Sequence, residues 1–253
     1  MSNEDKLVTR REVIAAGLAG LGGLLLTSCT REMPPTYGNL LRSADNFTYG
    51  AQRLILPDSS LAREYSMKDI SSFPATGTVD PGDPSRKSPS TEFRELHTGG
   101  FADYRLKVEG AVARPGSFSL AELKSFPART QITKHVCEEG WSAIGQWTGV
   151  PLSRVLDAVA ILPTARFVSV YSYDDYADSI DMVDALHPQT ILAYGMNNRD
   201  LPLQHGAPLR LRVERQLGYK SMKYLSRIVV TETLDDGGDK GNPKSGWAWF
   251  VGI

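Results

Sequence analysis

Period-two alternation in short runs, interrupted by short helices, is the feature that most constrains this chain. Tyr104, Leu106 and Val108 alternate with Arg105, Lys107 and Glu109, and Gly110 ends the run. Such alternation places the apolar side chains on one face of a half-buried strand. Leu209, Leu211 and Val213 alternate as strictly with Arg210 and Arg212. Residues 131–136, 167–173, 191–196 and 224–233 read as further strands, with Asn197-Asn198 as a turn. Ser119-Leu120-Ala121-Glu122 is a capping box that opens a short helix closed by Pro127. Pro151-Leu152-Ser153 opens another helix, with Val155, Leu156 and Val159 on its apolar side. No regular strand–helix–strand rhythm joins these elements. The pattern predicts an α+β domain of mixed sheets and short helices, not a doubly wound parallel sheet.

Upstream the periodicity disappears. Residues 30–95 carry Pro34, Pro57, Pro74, Pro81 and Pro89 among other breakers, which predicts an extended N-terminal arm ahead of a catalytic domain at 96–253. The first 29 residues read as a targeting segment. Lys6, Arg10 and Arg11 make a basic start, and the apolar run at 13–26 is fourteen residues long. A membrane-spanning helix needs about 20, so the run reads as the core of a signal peptide. Thr9-Arg10-Arg11 resembles a twin-arginine export signal, and Leu26-Thr27-Ser28-Cys29 resembles a lipobox. The expectation is a periplasmic protein, lipid-anchored through Cys29, against the simpler alternative of plain signal cleavage. The remaining length suffices for a packed core, and a formal net charge of −1 gives no reason to expect a nucleic-acid partner.

Only Cys29 and Cys137 are cysteines. An exported chain normally spends its thiols on disulfides, so a lone Cys137 needs a reason to survive. It sits in His135-Val136-Cys137-Glu138-Glu139-Gly140-Trp141-Ser142, directly after a strand. Its residue type and spacing leave three readings open: a buried structural cysteine, a nucleophile paired with a histidine such as His135, or a soft metal ligand. Further along, Arg210, Arg212, Arg215, Lys220, Lys223 and Arg227 stand against the single acid Glu214. With leucines and valine on the core side, these cations are expected to share one surface, either a solvated basic face or a phosphate site where Gly218 permits close backbone approach. A lone thiol beside a phosphate-binding strip suggests a phosphorylated cofactor that brings a metal to a thiolate.

Several motifs in order then make the likeness specific. The Cys137 segment, Trp147-Thr148-Gly149-Val150-Pro151-Leu152, His187-Pro188-Gln189-Thr190, Gly206-Ala207-Pro208-Leu209-Arg210-Leu211 and Gly218-Tyr219-Lys220-Ser221-Met222-Lys223 resemble the sulfite oxidase-type molybdopterin-dependent oxidoreductases. The nearest branch holds the bacterial periplasmic methionine sulfoxide reductase catalytic subunits. The resemblance implies the sulfite oxidase molybdopterin-binding fold, a molybdenum–molybdopterin cofactor and oxygen-atom transfer on a small oxide or oxyanion. It implies Cys137 as the molybdenum ligand. Arg210, Lys220 and the Ser221-Met222-Lys223 turn would bind the cofactor and its phosphate, Ser172 and His205 would contact the pterin, and Thr76 would add an arm contact. Trp141 and Tyr173 are expected to wall the substrate site, with Asp174, Asp175 and Glu139 adjusting the local potential. The haem and dimerisation domains of vertebrate-type sulfite oxidases do not fit in this length, so a monomer served by a separate electron carrier, such as a membrane haem protein, is expected. Glu138 and Glu139 beside the thiol disfavour a dianion, which points to reduction of a neutral S-oxide or N-oxide over sulfite oxidation. A metal-free thiol enzyme and a non-catalytic binding lipoprotein are the alternatives.

Overall fold

A computed structural model describes residues 35–234 and 247–253, so the export signal and Cys29 lie outside the described residues. Among these residues two five-stranded sheets form the body. The first runs β2 (Gly116–Ser119), β1 (Arg105–Gly110), β10 (Leu225–Thr231), β5 (Phe167–Ser172), β6 (Ala177–Asp181), with β1 and β10 parallel and the other neighbours antiparallel. The second runs β3 (Arg129–Val136), β4 (Ser142–Pro151), β7 (Ile191–Met196), β8 (Arg199–Asp200), and β9 (Arg210–Arg212) also pairs with β7. The architecture is the mixed α+β arrangement that the short alternating runs imply. Leu106 and Val108 are fully buried while Arg105 and Lys107 face out.

Five helices accompany the sheets among the described residues: α1 (Pro35–Ile55), α2 (Thr91–Thr98), α3 (Leu120–Ser125), α4 (Leu152–Val159) and α5 (Met182–Ala185). The capping box forms at α3: Ser119 Oγ accepts from the Glu122 amide at 3.2 Å, and the Glu122 carboxylate accepts from the Ser119 amide at 2.7 Å. Helix α4 buries Leu152, Val155, Leu156 and Val159. These join β1, β5, β10 and the end of β4 in one apolar cluster that ties the two sheets together. A smaller cluster around Trp147, Ile191, Ala193 and Met196 lies under the second sheet, with Phe73 packed on it.

The segment 30–95 departs from the extended arm that its prolines predict. Helix α1 has prolines only where they do no harm: Pro35 is its first residue, where no amide partner is needed, and Pro57 follows its end. Contacts from distant chain hold it, with Tyr49 on Trp249 and Phe250 and Arg53 on Asp181 and Asp184. Extended chain does occur between α1 and α2. There the Ser71 amide donates to the Ile144 carbonyl at 3.0 Å, and Glu64 bridges to Thr133, so this stretch lies against β3 and β4. The cationic strip is a second departure. All three residues of β9 are buried, so its arginines do not share a solvated face with the other cations.

Candidate active site

Strands β3 and β4 pair up to Val136 and Ser142, leaving residues 137–141 as their loop. The loop is a tight turn: the Cys137 amide donates to the Trp141 carbonyl at 2.9 Å, and the Gly140 amide to the Cys137 carbonyl at 3.1 Å. Gly140 takes φ +88°, which side-chain-bearing residues rarely adopt. This turn holds the Cys137 thiol at a cavity of about 300 Å³, whose lining includes Trp141, Thr76, His205, Arg210, Ser221, Met222 and Lys223. Eight of the eleven residues expected to hold the metal, bind the cofactor or wall the substrate site, Cys137 among them, are thus brought together.

Three others are not. Tyr173 and Ser172 line a neighbouring depression beside α2, where Tyr173 Oη meets Glu92 at 3.5 Å and Ser172 Oγ bonds to Asp174 and to the Tyr176 carbonyl. Lys220 is fully buried behind the cavity wall, with Nζ donating to Asp178 at 2.5 Å and to the Ser179 carbonyl at 3.0 Å. Burial of an ammonium demands such a partner, and this pairing takes Lys220 out of the expected phosphate set. Gly218 serves a different approach from the one expected. A Cβ there would lie 2.9 Å from the Val136 carbonyl and collide with the His135 ring, so the missing side chain lets the 218–220 turn close on β3.

The cations separate into two kinds. Arg212 is fully buried and doubly bonded to Glu214 at 3.0 and 2.7 Å, and Arg215 pairs with Asp184 at 2.6 Å. Arg210 and Lys223 make no ion pair with a described carboxylate. Arg210 donates to the carbonyls of His205 at 2.9 Å and Ser221 at 2.7 Å, and lies over the Trp147 ring at 4.9 Å. Its buried Nε has no partner among the described residues. Burial, with Arg212 nearby, pushes the Arg210 guanidinium down to about 9. Lys223 Nζ donates to the carbonyls of Thr76 at 2.9 Å, Gln204 at 3.2 Å and Thr78, and burial with Arg210 nearby pushes it down to about 8. At this end of the cavity the two cations hydrogen-bond only to neutral carbonyls among the described residues, with Asp174 the lining acid that acts on Lys223.

At the thiol the balance is reversed. Cys137 Sγ donates to Glu138 Oε2 at 3.4 Å, and Glu139 takes the Trp141 indole N–H at 2.9 Å. Burial pushes the Cys137 thiol up to about 11, and the two carboxylates add to it. His135 cannot relieve this. Arg212 Nη1 lies 2.8 Å from His135 Nδ1, and a guanidinium only donates, so Nδ1 is the acceptor and the proton sits on Nε2. Burial, then Arg212 and Arg210, pushes His135 down to about 2. An imidazole so placed is no base for a thiol, and the nucleophile reading that spacing left open loses its activator. His205, pushed down to about 4 by burial and then by Arg210 and Lys223, is likewise neutral.

Phe73 was missed from sequence. It lies 5.2 to 5.8 Å from the rings of His135, Trp141, Trp147 and His205, making it the hub of the cavity's aromatic wall. Tyr176, Tyr219 and Gln204 also line the cavity. The one available signal was an aromatic residue in a stretch without periodicity.

The chemistry of the donors fits a pterin-borne metal. Among the described residues no group of three or more His, Cys, Asp and Glu side chains could hold an ion. A metal at Cys137 therefore has to arrive with ligands of its own, and an anionic carrier suits Arg210 and Lys223. The profile of the oxidoreductase molybdopterin binding domain matches residues 95–237. The chain belongs to the molybdopterin-binding oxidoreductases. It is 35% identical over 249 residues, 98% of this chain and 89% of the relative, to an Azospira oryzae protein provisionally named protein-methionine-sulfoxide reductase subunit YedZ1. It is 33% identical over 192 residues to the protein-methionine-sulfoxide reductase catalytic subunit MsrP of Xanthomonas campestris, covering 70% of this chain but 57% of that relative. Among solved structures, the sulfane dehydrogenase SoxCD of Paracoccus pantotrophus shares the fold, with a TM-score of 0.52 and 23% identity, over 55% of this chain and 40% of that one.

Proposed function

We propose that this molybdopterin-binding oxidoreductase carries molybdenum on Cys137 and reduces a neutral S-oxide, with N-oxides as the neighbouring class, on the periplasmic side of the membrane. The observation that carries the reading is the split of charge around one cavity: acids at the only described thiol and, beyond it, a buried arginine and a half-buried lysine that make no ion pair with a described carboxylate. A molybdenum–pterin group bound there supplies a two-electron redox centre able to accept an oxygen atom. The chain's own side chains do the rest. Cys137 ligates as thiolate, a form that its surroundings disfavour until a cation sits beside the sulfur. Arg210, Lys223 and the Ser221-Met222 turn hold the anionic part of the cofactor, and Phe73 and Trp141 keep the site dry. Glu138 and Glu139 repel a dianion such as sulfite but not a neutral S-oxide. Reduction of an S-oxide consumes two protons and two electrons and gives sulfide and water. Both named relatives are called subunits, which supports delivery of the electrons by a second chain. Export through the Arg10-Arg11 signal and anchoring at Cys29 complete the reading.

The deciding experiment assays one molybdenum-loaded preparation with sulfoxides and a reduced dye, and with sulfite and an oxidised one. Sulfoxide turnover and little sulfite turnover are expected. The reverse pattern would assign the opposite direction. Cys137→Ser should remain folded, keep its pterin and lose turnover, because a hydroxyl is a poor soft-metal ligand. Wild-type turnover in that variant would remove Cys137 from the metal.

A further inference from the structure

Helix α1 is built with its apolar side outward. Its inner side carries Tyr49, whose ring centroid is 5.0 Å from those of Trp249 and Phe250, and Gln52, whose Nε2 donates to the Gly252 carbonyl at 3.2 Å. Arg53, on the same side, reaches Asp181 at 2.9 Å and Asp184 at 3.1 Å. The outer side carries Phe47 and Leu54, seven residues apart and so on one stripe two turns long, with Ile55 beside them. These three are 79, 87 and 75% exposed, and Leu56 just past the helix is 46% exposed. A surface helix normally turns such a stripe to its own core. An apolar stripe left outward marks a surface that something covers.

What lies within reach of this stripe in every copy is a bilayer. On the export reading above, the mature chain begins at lipid-bearing Cys29. Six residue steps separate Cys29 from Pro35, the first residue of α1. At about 3.6 Å per fully extended residue, the helix start stays within roughly 22 Å of the anchored residue. A tether this short keeps the start of α1 near the headgroups, and a helix lying along the surface, at about 1.5 Å per residue, keeps Phe47 and Leu54 there too, whereas any soluble partner would have to find the stripe. The geometry also suits a helix lying along a surface, since its polar side is already occupied by the C-terminal segment and by Asp181 and Asp184. We propose that the Phe47–Leu54–Ile55 stripe rests in the interfacial region of the bilayer and seats the catalytic domain on the membrane.

The test uses the exported full-length protein carrying Phe47→Trp, incorporated into vesicles of phosphatidylethanolamine and phosphatidylglycerol with bromine placed high on the acyl chains. Emission of the added tryptophan should fall at least twofold relative to unbrominated vesicles. Val79→Trp, at another exposed apolar position, should be unaffected. Mass spectrometry of the Cys29 peptide on the same sample separates the face from the anchor. Quenching at Phe47→Trp without acylation keeps the face and discards the lipid. No quenching, with or without acylation, overturns the proposal, as does equal quenching at both positions. Shielding of Phe47→Trp in native membranes but not in pure lipid would assign the stripe to a membrane protein instead. Shielding that appears only with concentration-dependent dimerisation would assign it to a second copy.

Discussion

Lys223 holds its ammonium among the carbonyls of Thr76, Thr78 and Gln204, where burial and Arg210 disfavour its charge and Asp174 favours it. Its folded pKa near 8 lies below its ordinary 10.5, so between these values the unfolded chain keeps a proton that the folded protein has shed. Stability of cofactor-free protein should therefore rise with pH across that window, and Lys223→Met should flatten the rise. Melting curves of both proteins from about pH 7 to about pH 10 check this, and parallel slopes would contradict it. An anion in the cavity supplies the missing charge, so Arg210→Ala and Lys223→Ala should each lower pterin content. At about 1.5–3 kcal/mol per charged hydrogen bond, the loss in affinity should be about tenfold or more. Fluorescence of the released, oxidised pterin measures it, and full content in the double variant would mean that neither cation holds the cofactor. Sequence located these two residues by residue type but could not separate them from Lys220 and Arg212. Which cation has a carboxylate in reach depends on Asp178 in β6 and on how Glu214 turns back on Arg212, and neither follows from spacing.

Strand β9 shows what an element adds to its residues. It is three residues long and buried throughout, yet Arg210 reaches the cavity while Arg212 is clamped by Glu214 behind His135. Gln131 Nε2 donates to the same Glu214 at 3.0 Å, so β3 and the end of β9 are bound through one carboxylate. Glu214→Gln leaves a buried guanidinium uncompensated and should cost about 3–5 kcal/mol. Denaturant unfolding of the cofactor-free protein measures the cost, and a loss below about 1 kcal/mol would mean that solvent reaches the pair. Strands with one wet face, such as β1, were plain in the sequence because burial on one side enforces alternation. Strand β4 was not, since it is buried on both faces along much of its length and carries Gly145 and Gly149. Strand β6, Ala-Asp-Ser-Ile-Asp, was hidden for the opposite reason. Its polar residues are buried because Lys220 and Arg53 meet them there, and partners so distant in sequence leave no local mark.

At the scale of the whole molecule, the proposed route of the chain is testable apart from its chemistry. Replacing Arg10 and Arg11 by lysines should leave the precursor in the cytoplasm, as fractionation and immunoblotting would record. Unchanged export would remove the twin-arginine reading. The motif order from His135 to Lys223 made the family legible, whereas helix α1 was not, because prolines at its flanks look the same in sequence as prolines inside a loop. The stretch between α1 and α2 supplies Phe73 to the aromatic wall and, through Thr76 and Thr78, two of the three oxygens that hold Lys223. The same ammonium thus faces the cavity and fastens the segment that closes over it. By linkage, whatever occupies the cavity and stabilises the charged form of Lys223 must also tighten the segment, by the same factor with which the fastened segment tightens the occupant. Cleavage around Ala75 by an added protease should accordingly slow on loading, and slow less in Lys223→Met. Filling the cavity and shutting it are then a single equilibrium, and the enzyme records its own loading in how firmly residues 73–78 are latched.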